Sequence, residues 1–204
     1  NQAFRYAAEP FFFKNAKTEE GPERMSTVMD GFAWVMCVGF VLIISGLDYL
    51  KFFVDEKFWS GLHLVPILLL ANVILGINTN LNVWYKVSDK TVYGIYITFV
   101  GLIVTVIGNV VLIPVFGILG AAFTTLGAYF VMLIASALWG RKHYPVPYRW
   151  KKIGAFVGFA CLVVFILHYT NWAPGPLKVL GGIGYLGIML FWERNGLLKF
   201  ATRK

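Results

Sequence analysis

Arg5 and Glu9 are two ionisable residues four apart in an apolar stretch that reads as a helix ending near Lys14. At 1.5 Å of rise per residue, Arg5 falls roughly 13 Å from Lys14, near mid-depth if Lys14 marks a membrane surface. A guanidinium at that depth costs about 2.5 to 3.5 kcal/mol on insertion scales, so it must face a bundle interior or a watery cavity. Two readings follow: a polar, partly hydrated site on a central path, or a buried structural ion pair. Arg precedes Glu, the weaker order for helix support. Pro10 removes a rung of the ladder near Tyr6 and predicts a kink.

A second polar set lies further along. Asn72, Gly76, Thr79, Val83 and Lys86 share one helix face; Asn78, Asn82 and Tyr85 share another. Amides inside a membrane line a cavity or bond across helices, and the spacing leaves both open. With Lys86 at its inner end, the first face is a candidate cavity wall. Asp30 and Asp48 are 18 residues apart, five turns, and share a face with Trp34, Val41 and Ser45. Each is a candidate gate or coupling-ion residue, and each also reads as an interfacial anchor. Asp30 is placed near a helix N-terminus, where the dipole favours an acid. Asp48 is placed near a C-terminus with Lys51 to compensate it.

Other chemistry is sparse. His63, His143 and His168 do not cluster, and no Ser/His/Asp set, carboxylate pair or Gly-rich phosphate loop can be assembled. That counts against an enzyme. Cys37 and Cys161 lie inside apolar runs with no metal-ligand spacing, so neither a disulfide nor a cofactor is expected.

The elements that must position these residues are membrane spans. The chain is 58% hydrophobic and 14% charged, against roughly half and a quarter in soluble domains. A hydrocarbon core of about 30 Å needs about 20 apolar residues in a helix. Six runs approach that length: 28–50, 62–85, 92–113, 118–139, 153–169 and 177–192, with a truncated helix ahead of them. No basic n-region precedes an early apolar run, so none reads as a signal peptide. Of the 18 Lys and Arg, Lys51, Lys57 and Lys178 fall on one side, Arg5 lies within a helix, and the remaining 14 fall on the other. That skew is the positive-inside pattern. It accounts for the net charge of +8 without nucleic acid and predicts a cytoplasmic C-terminus. The expected fold is all-α, a polytopic transmembrane helix bundle, divided into helices over 1–148 and two additional ones over 149–204.

Small residues predict how two spans pair. Gly94, Thr98, Gly101, Thr105 and Gly108 form one stripe, and Gly120, Thr124 and Ala128 another. Lipid supplies no hydrophobic drive for pairing, so close approach through small side chains must. These two helices are expected to pack on each other or on a shared neighbour.

Four segments together resemble a known family. They are Gln-Ala-Phe-Arg-Tyr-Ala-Ala-Glu-Pro-Phe-Phe-Phe (2–13), Asn-Leu-Asn-Val-Trp-Tyr-Lys-Val-Ser-Asp-Lys-Thr-Val-Tyr-Gly (80–94), Pro-Val-Phe-Gly-Ile-Leu-Gly-Ala-Ala-Phe-Thr-Thr (114–125) and Gly-Arg-Lys-His-Tyr-Pro-Val-Pro-Tyr (140–148). In order and spacing they are similar to the C-terminal half of bacterial polysaccharide or oligosaccharide flippases. These belong to the exporter superfamily that includes multidrug extruders and the lipid II flippase. The resemblance implies the end of helix 8 through helix 14 of a fourteen-helix exporter in the bacterial inner membrane, with an N-terminal lobe elsewhere in the same protein. Its implied partner is an undecaprenyl-pyrophosphate-linked oligosaccharide, moved between leaflets by alternating access. Arg5 and Lys86 would supply the cations, with Glu9, Asn72, Thr79 and Tyr85 as neighbours. A multidrug or cation-coupled exporter is the alternative within that superfamily. A membrane-embedded glycan polymerase, ligase or acyltransferase is the alternative from another class.

Overall fold

The computed structural model describes residues 10, 12–14, 18–169 and 175–202, with side chains described as far as residue 193. Arg5 and Glu9 lie outside the described residues. Among the described residues every regular element is a helix, and six helices are long and apolar enough to cross a membrane. The chain is therefore an all-α membrane protein.

The first helix, α1, runs Gly21–Ser45. Its start lies well ahead of the apolar run, because Pro22 occupies the first turn, where its fixed φ is preorganised and its missing N–H costs nothing. This overturns the placement of Asp30 near a helix N-terminus. Asp30 lies in the third turn, beyond the reach of the terminal dipole. The helix breaks at Gly46 before the short α2, Leu47–Leu50. Asp30 and Asp48 therefore stand on separate helices, not on one continuous face.

The second span is Glu56–Val87. It begins as a 3₁₀ helix, Glu56–Leu64, and continues as α3, Val65–Leu81, and the short α4, Val83–Val87. Two long helices follow, α5 at Val92–Phe116 and α6 at Ile118–His143. The connection between them is shorter than the gap 114–117 left between the two apolar runs of the sequence. Pro114 sits inside the last turn of α5, and Gly117 alone reverses the chain at φ 57°, ψ −133°. Only glycine adopts that conformation freely. The fifth span is α7, Trp150–Val164, extended by a π-helical turn at Phe165–Tyr169, and the sixth is α8, which begins at Gly175 and runs to Thr202.

Helix α1 is central and packs on α3, α7 and α8; α6 packs on α3 and α5. Met29, Ala33, Cys37 and Val41 of α1 share one core with Ile77 of α3, Leu133 of α6, Phe156 of α7 and Tyr185 and Met189 of α8. The last two spans are thus buried against the first. Close backbone approach fixes several contacts. A Cβ at Gly182 of α8 would lie 2.5 Å from Ser45 Oγ, and Ser45 turns its hydroxyl to the Val41 carbonyl of its own helix.

The small-residue stripes face each other, as their spacing predicts. A Cβ at Gly108 would lie 2.7 Å from Thr124, one at Gly101 would strike Met132 Sδ, and one at Gly120 would strike the Leu112 carbonyl oxygen. The last obstacle is backbone, which cannot rotate away. Gly120→Ala is therefore expected to lower stability by roughly 1 to 3 kcal/mol, the usual cost of overpacking. Thermal unfolding in detergent measures it; an unchanged midpoint would mean the two helices separate without cost.

Candidate functional site

The residues singled out on the second span divide between roles. Gly76 and Val83 are buried, whereas Asn72 is exposed and Thr79 and Lys86 are half-buried. The Asn72 amide donates to the Leu68 carbonyl at 2.9 Å, and the Thr79 hydroxyl donates to the Leu75 carbonyl at 2.8 Å. Both bonds return to the same helix, one turn back. The Tyr85 ring lies where a Cβ at Gly94 would come within 3.1 Å of it, so it packs on the backbone of α5. Asn78 and Asn80 are buried, and Asn78 Oδ1 and Asn80 Nδ2 have no hydrogen-bond partner among the described residues.

Next to Tyr85 and Lys86 the structure assembles a constellation that sequence reasoning missed. The Trp84 indole N–H donates to Ser136 Oγ at 3.1 Å, and the Ser136 hydroxyl donates to Asn82 Oδ1 at 2.6 Å. This relay joins the end of the second span to α6. Trp84 stacks on His143 with ring centroids 5.7 Å apart and meets Tyr93 of α5 at 5.4 Å. His143 is the last residue of α6, not part of a loop. One of its ring nitrogens, Nδ1, lies 2.9 Å from the Trp139 carbonyl, which can only accept. Nδ1 therefore carries a proton, and Nε2 lies 3.0 Å from the Tyr93 hydroxyl. The signal for this cluster was the density of rings near one surface. Its three-dimensional convergence depends on Gly140, where a Cβ would press on the indole at 3.0 Å. A pocket of about 10 Å³ beside Trp84, lined by Leu81, Gly140, Arg141 and Tyr148, is at the lower limit for one water molecule. It does not admit a sugar ring. Burial pushes the Tyr148 phenol up, with Tyr144 adding to the rise, and burial also raises Tyr144. Both phenols therefore stay neutral under ordinary conditions.

The carboxylates have specific partners. Asp30, 3% exposed, accepts from Arg149 Nη1 at 3.0 Å and from Lys152 Nζ at 3.4 Å, both on Oδ2. Lys152 also reaches Glu193 Oε1 at 2.8 Å. Four charges from α1, α7 with its leading residue, and α8 thus form one chain at one end of the bundle. The nearby Ser26 hydroxyl donates to the Pro147 carbonyl at 2.8 Å, and the Trp34 indole donates to the Met189 carbonyl at 3.1 Å. Asp48 pairs with Lys178 of α8 at 2.9 Å, not with Lys51 as its sequence position suggested.

The structure therefore brings Tyr85 and Lys86 beside an aromatic cluster, gathers Asp30 into a buried ion network, and holds Asp48 in a separate pair with Lys178. No family model, curated protein or solved structure matches this chain.

Proposed function

We propose that this chain is the C-terminal lobe of a transporter that flips an undecaprenyl-pyrophosphate-linked oligosaccharide across the bacterial inner membrane by alternating access. The observation that carries this reading is a set of six helices long and apolar enough to cross a membrane, read together with the one-sided charge pattern of the sequence and the four segments that resemble the family. A pyrophosphate headgroup needs cations, and glycans need hydrogen-bonding groups and aromatic faces. Lys86, Asn72, Thr79 and Tyr85 supply those chemistries along the second span, and Arg5 would add a cation at mid-depth. The charge distribution supports an inner C-terminus. Alternating access needs two bodies that rock about a shared cavity; this lobe would be one and the N-terminal lobe the other.

The test is export. In the full-length protein, Arg5→Ala is expected to cut surface polysaccharide by about tenfold, the equivalent of about 1.4 kcal/mol of lost headgroup attraction. Arg5→Lys should retain part of the activity, since it keeps the charge but loses the bidentate fork. Export unchanged by both substitutions would remove Arg5 from the mechanism.

A further inference from the structure

The ion network around Asp30 is unevenly filled. Asp30 Oδ2 takes both Arg149 and Lys152, while Asp30 Oδ1 is buried and has no hydrogen-bond partner among the described residues. A buried carboxylate oxygen without a donor carries a desolvation cost. A permanent clamp would use that acceptor. Lys152 meanwhile sits between two carboxylates, nearer Glu193 than Asp30, with its ammonium 5.4 Å above the Phe156 ring.

We propose that Lys152 passes from Glu193 to Asp30, so that the network is a clasp whose α8 side opens while its α1–α7 side stays closed. Exposure sets the direction. Glu193 is 12% exposed and Asp30 only 3%; on a small outward movement of α8, Glu193 gains water and Asp30 does not. Arg149 remains on Oδ2 and Lys152 takes Oδ1, so Asp30 is satisfied by two donors. Phe156 keeps the Lys152 ammonium in place in both arrangements through its ring face. The Trp34–Met189 bond lies one turn further into the bundle and the Asp48–Lys178 pair holds the other end, so movement is confined to the part of α8 beyond Met189. The clasp is bistable because each state pairs the deeper carboxylate. It belongs to the bundle whatever the protein transports.

Amide hydrogen exchange of the full-length protein in lipid nanodiscs tests this. Glu193→Gln removes the releasable partner and is expected to raise exchange over residues 189–196 by about tenfold, leaving residues 28–34 and 150–160 protected as before. Lys152→Met should loosen the same stretch of α8, because Arg149 still holds Asp30. Asp30→Asn should loosen residues 28–34, 150–160 and 189–196 together. Unchanged exchange in Glu193→Gln would overturn the proposal, as would loosening of all three segments at once in that variant. If Glu193→Gln does not accumulate, Lys152→Met provides the same readout. Failure of both to fold would identify a rigid clamp and also overturn it.

Discussion

Trp84→Ala is expected to remove roughly 3 to 5 kcal/mol of stability, the range for deleting a large aromatic from a packed interior. Trp84 is buried almost completely and touches two other spans, α5 and α6. Deleting it leaves the Ser136 hydroxyl without its donor and opens the floor against Gly140. The packing term should dominate the hydrogen-bond term, which is worth about 1 kcal/mol. Trp84→Phe divides them in part: it keeps a six-membered ring in the site and loses the indole N–H with the rest of the five-membered ring. Its expected cost is about a third of that of Trp84→Ala. In a cycle with Ser136→Ala, the two substitutions should fall short of additivity, because each breaks the same relay. Denaturation in mixed detergent measures all of these. A Trp84→Ala protein within 1 kcal/mol of the parent would show that the aromatic cluster is incidental to folding.

The second large effect is at Asp30. Removing one partner of a buried ion pair typically costs 3 to 5 kcal/mol, since the other charge is left in a poor environment. Asp30→Ala should fall near 3 kcal/mol, the low end. Arg149 is 51% exposed and can turn to water, and Lys152 retains Glu193. Coulomb attraction alone does not predict this ordering; it is set by where the orphaned charges can go. Combining Asp30→Ala with Arg149→Met should cost less than the sum of the two, because the second change removes a charge that the first has stranded. Equal stability of Asp30→Ala and the parent, by the same denaturation measurement, would mean the network contributes nothing to holding α1 on α7.

The spans were legible in the sequence for a simple reason: length and apolar content are properties of a single strand of residues. So were the facing stripes of α5 and α6, because small residues at spacings of three and four declare a face without reference to a partner. What was not legible depended on distant residues. Asp30 finds Arg149 and Lys152 more than a hundred positions away, and nothing local to Asp30 announces them. Lys51 looked like the natural neighbour of Asp48, yet the break at Gly46 and the docking of α8 deliver Lys178 instead. The start of α1 was misplaced because hydropathy marks where a helix becomes apolar, whereas Pro22 marks where it begins. His143 looked solitary because its companions come from α4 and α5. For the proposed transport site, Asn72 and Thr79 read equally well as cavity wall or cross-helix glue; the hydrogen bonds described for them run back to their own helix, a third outcome available to any amide or threonine in a helix.

Gly117 reverses the chain in a single residue, and from Thr91 to Gly140 the chain carries no Asp, Glu, Lys or Arg. During synthesis, then, α5 and α6 need not enter the bilayer one after the other. A hairpin with an uncharged tip can cross as one piece, with Lys90 and Arg141 left behind on the same side as its two tethers, and no ionised group has to traverse the lipid for the topology to be completed.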